Sequence, residues 1–178
     1  NYDRQGFAHK GISDGVGAYN NDGTLKAGAK VLYVTKNTFK TIKASLSDGK
    51  KPVEYTGIGD ILLAKQKGQD KTPLAVRVIG EIKTADAGDQ LKTDQKGLLL
   101  KGNSETTVMN VTIEGIGDDA CFNGFGLGII NGTNVEVRNM AFFNQGSSND
   151  NMEIKGTQHI WVHNNDYFYG EKGSGDHG

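Results

Sequence analysis

The chain has few of the features that cross-link a protein or anchor it to a membrane. Its 178 residues include one cysteine and two prolines, and no apolar run approaches the ~18 residues that a membrane span requires. Cys121 cannot form a disulfide within the chain, and we interpret it as a small buried thiol. Charge is balanced as well, with 20 Lys and Arg against 21 Asp and Glu. A net charge of −1 argues against a protein that binds nucleic acid by neutralising phosphates.

Glycine, by contrast, is abundant. The chain has 26 glycines, about twice the average usage, without the three-residue period and the proline content of collagen. Many glycines between short segments indicate many tight turns, which is typical of an all-β protein. The chain begins at Asn1 without an apolar leader, which fits a mature secreted, extracellular protein whose signal peptide has been removed.

The second half of the sequence repeats. Residues 110–115, 134–139 and 159–164 have the same alternating pattern, and their apolar positions recur in steps of 24 and then 25 residues. A shorter apolar segment precedes each of them, at 98–100, 127–130 and 152–155. Such a period indicates a solenoid, and the alternation within each unit indicates short strands in stacked parallel sheets. The sequence therefore predicts a right-handed parallel β-helix, with glycines such as Gly102, Gly132 and Gly156 at the bends between sheets.

We expect one domain over 1–178, with an N-terminal cap, first strands and loops in 1–96 and regular coils in 97–178. Strands are predicted at 31–34 and 74–82, and a charged loop at 83–96. Asn37 is a candidate N-cap for a helix over 38–47, in which Phe39, Ile42 and Leu46 form one apolar stripe. Such a helix would cover the open N-terminal end of the solenoid. Asn139 and Asn164 occupy equivalent repeat positions, and we expect their amides to stack in a ladder.

Three motifs have simple structural interpretations beside their chemical ones. Asp118 and Asp119 resemble the paired carboxylates of a glycosidase, but they lie in a glycine-rich segment where aspartate is a good turn residue. Residues 124–128 contain three glycines without the spacing of a nucleotide-binding loop, so we expect a tight turn. His159 and His163 are four residues apart, as in zinc-binding helices, but on a strand pattern this spacing favours structural or surface histidines.

The strongest local feature is Asn149-Asp150-Asn151, which opens the segment 152–155. We predict that Met152 and Ile154 point inward. Three polar side chains are then predicted to lie on the outer face: Asn151, Glu153 and Lys155. Oxygen ligands at a sheet edge suit Ca²⁺, which takes six to eight of them, so Asp150 is the candidate metal ligand. A solvated turn explains the same residues equally well.

The repeats resemble the N-terminal half of a bacterial pectate lyase. The resemblance lies in residues 111–117 (VTIEGIG), 134–142 (NVEVRNMAF) and 150–164 (DNMEIKGTQHIWVHN), and extends more weakly to residues 6–8 and 80–82. It implies a parallel β-helix and Ca²⁺-dependent β-elimination of α-1,4-polygalacturonate, the backbone of pectin. Asp150 then matches a calcium ligand in the substrate groove of the family, and Asn151, Glu153 and Lys155 are the candidate groove residues. The position two residues before Asp150, an aspartate in some members, is Ser148. The family motif Trp-Ile/Val-Asp-His corresponds to 161–164, where this chain has His163 and Asn164 at the two polar positions.

The resemblance also implies that much of the lyase machinery belongs to later coils. The remaining calcium carboxylates would begin near Gly175–Gly178, and the arginine that acts as base would lie beyond Gly178, so no catalytic residue is expected within the chain. We expect the exposed end of such a half-solenoid to pair with a complementary C-terminal fragment or a second copy. Two alternatives remain: a non-catalytic β-helical carbohydrate-binding or adhesive module, and a β-helical pectin hydrolase that uses Asp118 and Asp119 as acid and base.

Overall fold

The computed structural model describes residues 6–12, 14–92, 97–145 and 150–168, and these form a stack of parallel strands. Asn149, Ser148 and the terminal segment Gly175–Gly178, all of which entered the predictions above, lie outside the described residues. In chain order the strands are β1 Lys30–Val34, β2 Lys43–Ser47, β3 Pro52–Thr56, β4 Leu74–Lys83, β5 Leu98–Lys101, β6 Val108–Asn123, β7 Leu127–Ile130, β8 Thr133–Arg138, β9 Ala141–Phe143, β10 Met152–Lys155, β11 Gln158–His163 and β12 Asp166–Tyr167. The helical segments are α1 Ile58–Ala64 and α2 Thr84–Ala87, with single 3₁₀ turns at Phe7–His9 and Gly88–Gln90.

Two parallel sheets form the body of the molecule. The long sheet has the strand order β1-β4-β6-β8-β11, and the short sheet has the order β10-β7-β5. A third face continues the long sheet past a bend, where β9 pairs with the end of β6 and β12 pairs with β9. Because chain segments between the sheets advance one strand at a time, the chain winds as a parallel β-helix, which confirms the predicted fold class.

The repeat period sets the strand register. Val135 pairs with Val111 on one side and with Ile160 on the other, so the steps of 24 and 25 residues are the lengths of successive coils. In the short sheet, Leu127 lies between Leu98 and Met152 in the same way. The strands β1 and β4, which precede residue 97, already belong to the long sheet.

The core lies between the sheets and consists of inward-facing columns of aliphatic side chains. One column of the short sheet contains Leu100 and Ile129, both fully buried, and one column of the long sheet contains Val76, Ile113 and Val137. Aromatic rings fill the third corner, where Phe122 stacks on Phe125 with ring centroids 4.6 Å apart. Such stacking makes each coil depend on its neighbours for burial, as in other solenoids.

Gly102 and Asn139 show how the chain bends between sheets. Gly102 follows β5, and a Cβ there would overlap the carbonyl oxygen of Asn131 in the next coil, so the close stacking requires glycine. Asn139 adopts φ +54 at the bend after β8 and donates from its amide to the carbonyl oxygens of Gly115 and Gly117, at 2.8 and 3.0 Å. The predicted Asn139–Asn164 ladder is therefore replaced by side-chain to backbone bonds, while a ladder of the predicted kind forms between Asn134 and Asn110.

The predicted helix over 38–47, with Asn37 as its cap, is wrong. Residues 35–41 form a turn, and Lys43–Ser47 is a strand that pairs antiparallel with β3. The alternation of exposed and buried residues in β2 explains this outcome, because Ala44 and Leu46 face the core while Lys43 and Ser45 face solvent.

The helix that the sequence reasoning missed is α1, which packs against β5, the first strand of the short sheet, and against β2 and β3. It buries Ile58, Ile61 and Leu62, so an N-terminal helix does lie at the end of the stack, but from a different segment. The predicted loop over 83–96 also contains α2 and a 3₁₀ turn. Neither helix of the described residues has the length and apolar character needed to cross a membrane.

Candidate functional site

Two of the predicted groove residues lie on the outer face of the short sheet. Glu153 is in register with Gly128 and Leu99, and Lys155 is in register with Ile130 and Lys101. Their neighbours in β10 follow the inward columns, although Ile154 remains 47% exposed because β10 is the edge strand of this sheet within the described residues.

Lys101 and Lys155 are exposed at matching positions two strands apart, so their Cα atoms lie about 10 Å from each other along the stack. The sequence reasoning named Lys155 but not Lys101, whose register with it depends on the fold. The outer face of the short sheet therefore presents two ammonium groups along one line.

Asp150 and Asn151 form the turn that leads into β10. Asp150 is exposed, whereas Asn151, which was predicted to lie on the outer face, is buried. Asn151 Nδ2 donates to the carbonyl oxygen of Phe168 at 3.0 Å, while its Oδ1 is buried without a hydrogen-bond partner. A buried acceptor without a donor costs free energy, which makes this oxygen a candidate ligand for a bound cation.

These two residues fit the beginning of a calcium site. A carboxylate and an amide oxygen are the ligand types that Ca²⁺ prefers, and the unpartnered Oδ1 of Asn151 is available to it. Two oxygens are fewer than the six to eight of a full shell, and the described residues contain no group of three His, Cys, Asp or Glu side chains that could hold a metal ion. Further oxygen ligands are therefore required.

Asp118 and Asp119 lie on an exposed bulge of β6. The register between β4 and β6 shifts here, so that Gly80 alone stands opposite residues 117–120. Both aspartates are exposed and project from the bulge, as expected for turn residues.

Close by, Cys121 is buried as predicted, and burial raises the pKa of its thiol, an effect that the neighbouring Glu81 and Asp119 carboxylates reinforce. This cysteine therefore has the character of an inert core residue.

The two histidines of β11 have separate structural roles. His159 Nδ1 lies 3.1 Å from the carbonyl oxygen of Ala8, and His163 Nε2 lies 3.0 Å from Glu136 Oε1. The Trp161 ring stacks on the His163 ring, with centroids 3.8 Å apart. Residues 124–126 form a bend that leads directly into β7 rather than into a helix, which agrees with the tight-turn interpretation.

The long sheet carries a row of polar residues that the sequence reasoning missed. Strand register aligns one outward position from each of its five strands: Tyr33, Arg77, Glu114, Arg138 and His163. Glu114 accepts hydrogen bonds from Arg77 Nε at 2.9 Å through one oxygen and from Arg138 Nε at 2.9 Å through the other. Burial alone would raise the pKa of the Glu114 carboxyl, but the Tyr19 hydroxyl and the two guanidinium groups outweigh it, so that this pKa is lowered.

An N-terminal segment, residues 14–26, covers this row. Its Tyr19 hydroxyl donates to Glu114, and its Gly17 amide donates to Asn134 Oδ1 at 2.7 Å. The ring of Tyr19 lies under the Arg138 guanidinium, 4.6 Å from its Cζ. The row therefore holds the segment 14–26 against the long sheet.

A signal for this row was present in the sequence. The repeat that aligns the apolar positions also aligns Glu114, Arg138 and His163, in the same steps of 24 and 25 residues. Arg77 joins them only through the pairing of β4 with β6, because no comparable repeat precedes residue 97.

The fold and these surfaces define the chain as a parallel β-helix with a charged outer face. Among solved structures, the chain is similar to a pectate lyase from Bacillus sp. N165 that was crystallised in complex with trigalacturonate. The similarity covers 93% of this chain and 42% of that lyase, with a TM-score of 0.60 and 17% sequence identity. No protein-family model matches the chain, and no curated protein is significantly similar in sequence. The chain therefore has the β-helix fold of that pectate lyase and spans less than half of its length.

Proposed function

We propose that this chain is the N-terminal part of a secreted pectate lyase, which cleaves α-1,4-polygalacturonate by Ca²⁺-dependent β-elimination. The observation that carries the proposal is the similarity of 93% of the chain to the fold of a pectate lyase crystallised with trigalacturonate. The sequence resemblance described above points to the same family.

In this proposal the outer face of the short sheet binds the substrate. Polygalacturonate carries one carboxylate on each sugar, and the aligned ammonium groups of Lys101 and Lys155 are complementary to such a chain running along the stack. Glu153 lies on the same face, two residues before Lys155 in β10, and sets the register of the sugar by hydrogen bonding to hydroxyl groups.

Asp150, with the free Oδ1 of Asn151, would hold Ca²⁺ at the edge of this face. When bound, the metal ion would neutralise a substrate carboxylate and make the neighbouring C5 proton more acidic. The base that removes this proton is the arginine expected in the later coils. The described residues thus bind and orient the sugar rather than remove the proton.

The substrate-binding part can be tested with the double variant Lys101→Glu/Lys155→Glu. We expect it to weaken trigalacturonate binding by at least about tenfold, because two favourable charge contacts become repulsive. Isothermal titration calorimetry measures this, with Lys36→Glu/Lys40→Glu as a control that makes the same change in charge on exposed residues of the turn after β1. Equal weakening by both variants would show a general charge effect and contradict the site.

The metal part can be tested by titrating the chain with Ca²⁺. Asp150→Ala should weaken calcium binding measurably if the groove interpretation holds, and should leave it unchanged if the chain is a purely structural carbohydrate-binding module. The chain alone should give no rise in absorbance at ~232 nm from unsaturated product, because the catalytic base is expected in later coils. Reducing ends without unsaturated product would instead support the hydrolase alternative.

A further inference from the structure

A second cleft lies at the N-terminal cap, away from the short-sheet face. It is formed between the β2–β3 hairpin and α1, and has a volume of about 560 Å³, within the roughly 300–1,000 Å³ typical of small-molecule sites. Tyr55, Leu63 and Ala64 give it an apolar side. Gly49 in the hairpin turn lies close enough to the Gln69 side chain for a Cβ there to approach it to 3.0 Å, so the turn closes one end.

The two carboxylates that line this cleft, those of Asp48 and Asp60, have local partners. Asp48 Oδ1 accepts from the backbone amides of Lys50 and Lys51, both at 2.9 Å. Asp60 Oδ1 forms an ion pair with Lys92 at 2.7 Å. Both carboxylates are therefore occupied by local partners.

The two lysines that line the cleft differ from these carboxylates in their lack of ion-pair partners among the described residues. The side chains of Lys50 and Lys67 are exposed, and within the described part of the chain neither forms an ion pair. A cleft with satisfied carboxylates and two unpaired ammonium groups favours an anionic ligand. The aromatic ring of Tyr55 offers a flat surface to the C–H face of a sugar, and Gln69 offers an amide for its hydroxyl groups.

We propose that the cleft between the β2–β3 hairpin and α1 is a second saccharide-binding site, which takes one or two units of an acidic sugar with their carboxylates toward Lys50 and Lys67. This inference rests on the proposed function for the choice of galacturonate as the acidic sugar. Such a site would hold the polymer at the cap end of the solenoid, while the short-sheet face binds another stretch of it.

The experiment is a titration of the isotope-labelled chain with trigalacturonate, followed residue by residue by NMR. We expect saturable shifts of the Tyr55, Leu63 and Gln69 amide signals. Lys50→Glu/Lys67→Glu should weaken this response at least about tenfold. Lys36→Glu/Lys40→Glu, the matched control outside the cleft, should leave it within about twofold.

Signals of the short-sheet face separate this inference from the proposed function. Shifts at Lys101 and Lys155 without shifts in the cleft would overturn the second site and support the substrate face. Shifts in the cleft alone would support the second site and contradict the substrate face. An equal response of the cleft to neutral galactotriose, or equal weakening by the control variant, would overturn the assignment of an acidic sugar.

Discussion

The Glu114 carboxylate offers a test of whether the polar row of the long sheet stabilises the fold. Glu114→Gln keeps the shape of the side chain and removes the charge that holds Arg77 and Arg138. The carboxylate is 5% exposed and the two arginines are 23% and 29% exposed, so solvent screens these pairs only in part. Removing one partner of a buried pair costs about 3–5 kcal/mol, and a hydrogen bond to a charged group contributes about 1.5–3 kcal/mol.

The loss is reduced because each arginine keeps another acceptor. Arg77 Nη1 donates to the Tyr33 hydroxyl at 2.7 Å, and Arg138 Nη1 lies 3.5 Å from Glu136. We therefore expect Glu114→Gln to lower the free energy of unfolding by about 2–3 kcal/mol at neutral pH. For a chain of this size that corresponds to a decrease in Tm of about 4–12 °C.

The loss should depend on pH in a defined direction. The folded-state pKa of Glu114 is lowered, so its carboxylate stabilises the protein fully above the unfolded value of about 4.3, and this stabilisation is lost as the pH falls through the folded pKa. Urea unfolding followed by circular dichroism, at neutral pH and in acid, measures the difference between wild type and variant. That difference should shrink in acid, because the wild-type carboxyl is then protonated and, like the glutamine of the variant, carries no charge.

The matched control is Glu54→Gln. Glu54 pairs with Lys43 at 2.8 Å, but the side chains are 61% and 60% exposed, so this change should alter stability by no more than about 0.5 kcal/mol. If Glu114→Gln were equally mild, or if its cost were the same in acid as at neutral pH, the stabilising role of the row would be refuted.

Two further changes test buried contacts by urea unfolding. Asp70→Asn should cost about 3–5 kcal/mol, because it leaves the fully buried Lys65 ammonium, 3.1 Å from Asp70 Oδ1, without its counter-charge; a much smaller loss would contradict this. Gly17→Ala should lower the free energy of unfolding by more than the ~1 kcal/mol that a positive φ alone imposes, because its Cβ would overlap Thr112 Oγ1. The control is Gly23→Ala, which is also at positive φ but has open space around it. Equal losses in the two variants would contradict the steric argument.

The sequence predicted the coils well where the repeat was visible. Val111, Val135 and Ile160 are in register, because a solenoid stacks equivalent positions and one coil length is therefore one sequence period. It failed at the cap, where Ile42 and Leu46 fit a helical stripe and Ala44 and Leu46 fit strand alternation equally well. Pairing with β3, a contact that local propensity does not contain, decided between them.

The candidate site divides in the same way. Lys155 could be placed on an outer face from alternation alone, and Asp150 at the turn before it from the motif. Lys101 could not be linked to Lys155, since 54 positions of chain separate them and only the stacking of β5, β7 and β10 brings them into line. Asn151 was predicted to lie on an outer face, but alternation gives the face of a residue and not what covers it. The carbonyl oxygen of Phe168, at the end of the same coil, accepts a hydrogen bond from its amide.

By itself, then, the sequence determined the all-β class, the coil length and the inward columns, because these follow from period-two alternation and from a repeat that every coil must share. The tertiary structure alone decided which end segment becomes the helix, and how Glu114 comes to hold both Arg77 and Arg138 under the N-terminal segment 14–26. The polar row depends on contacts between residues 24 to 95 positions apart, whose free energy exceeds the small differences in local propensity.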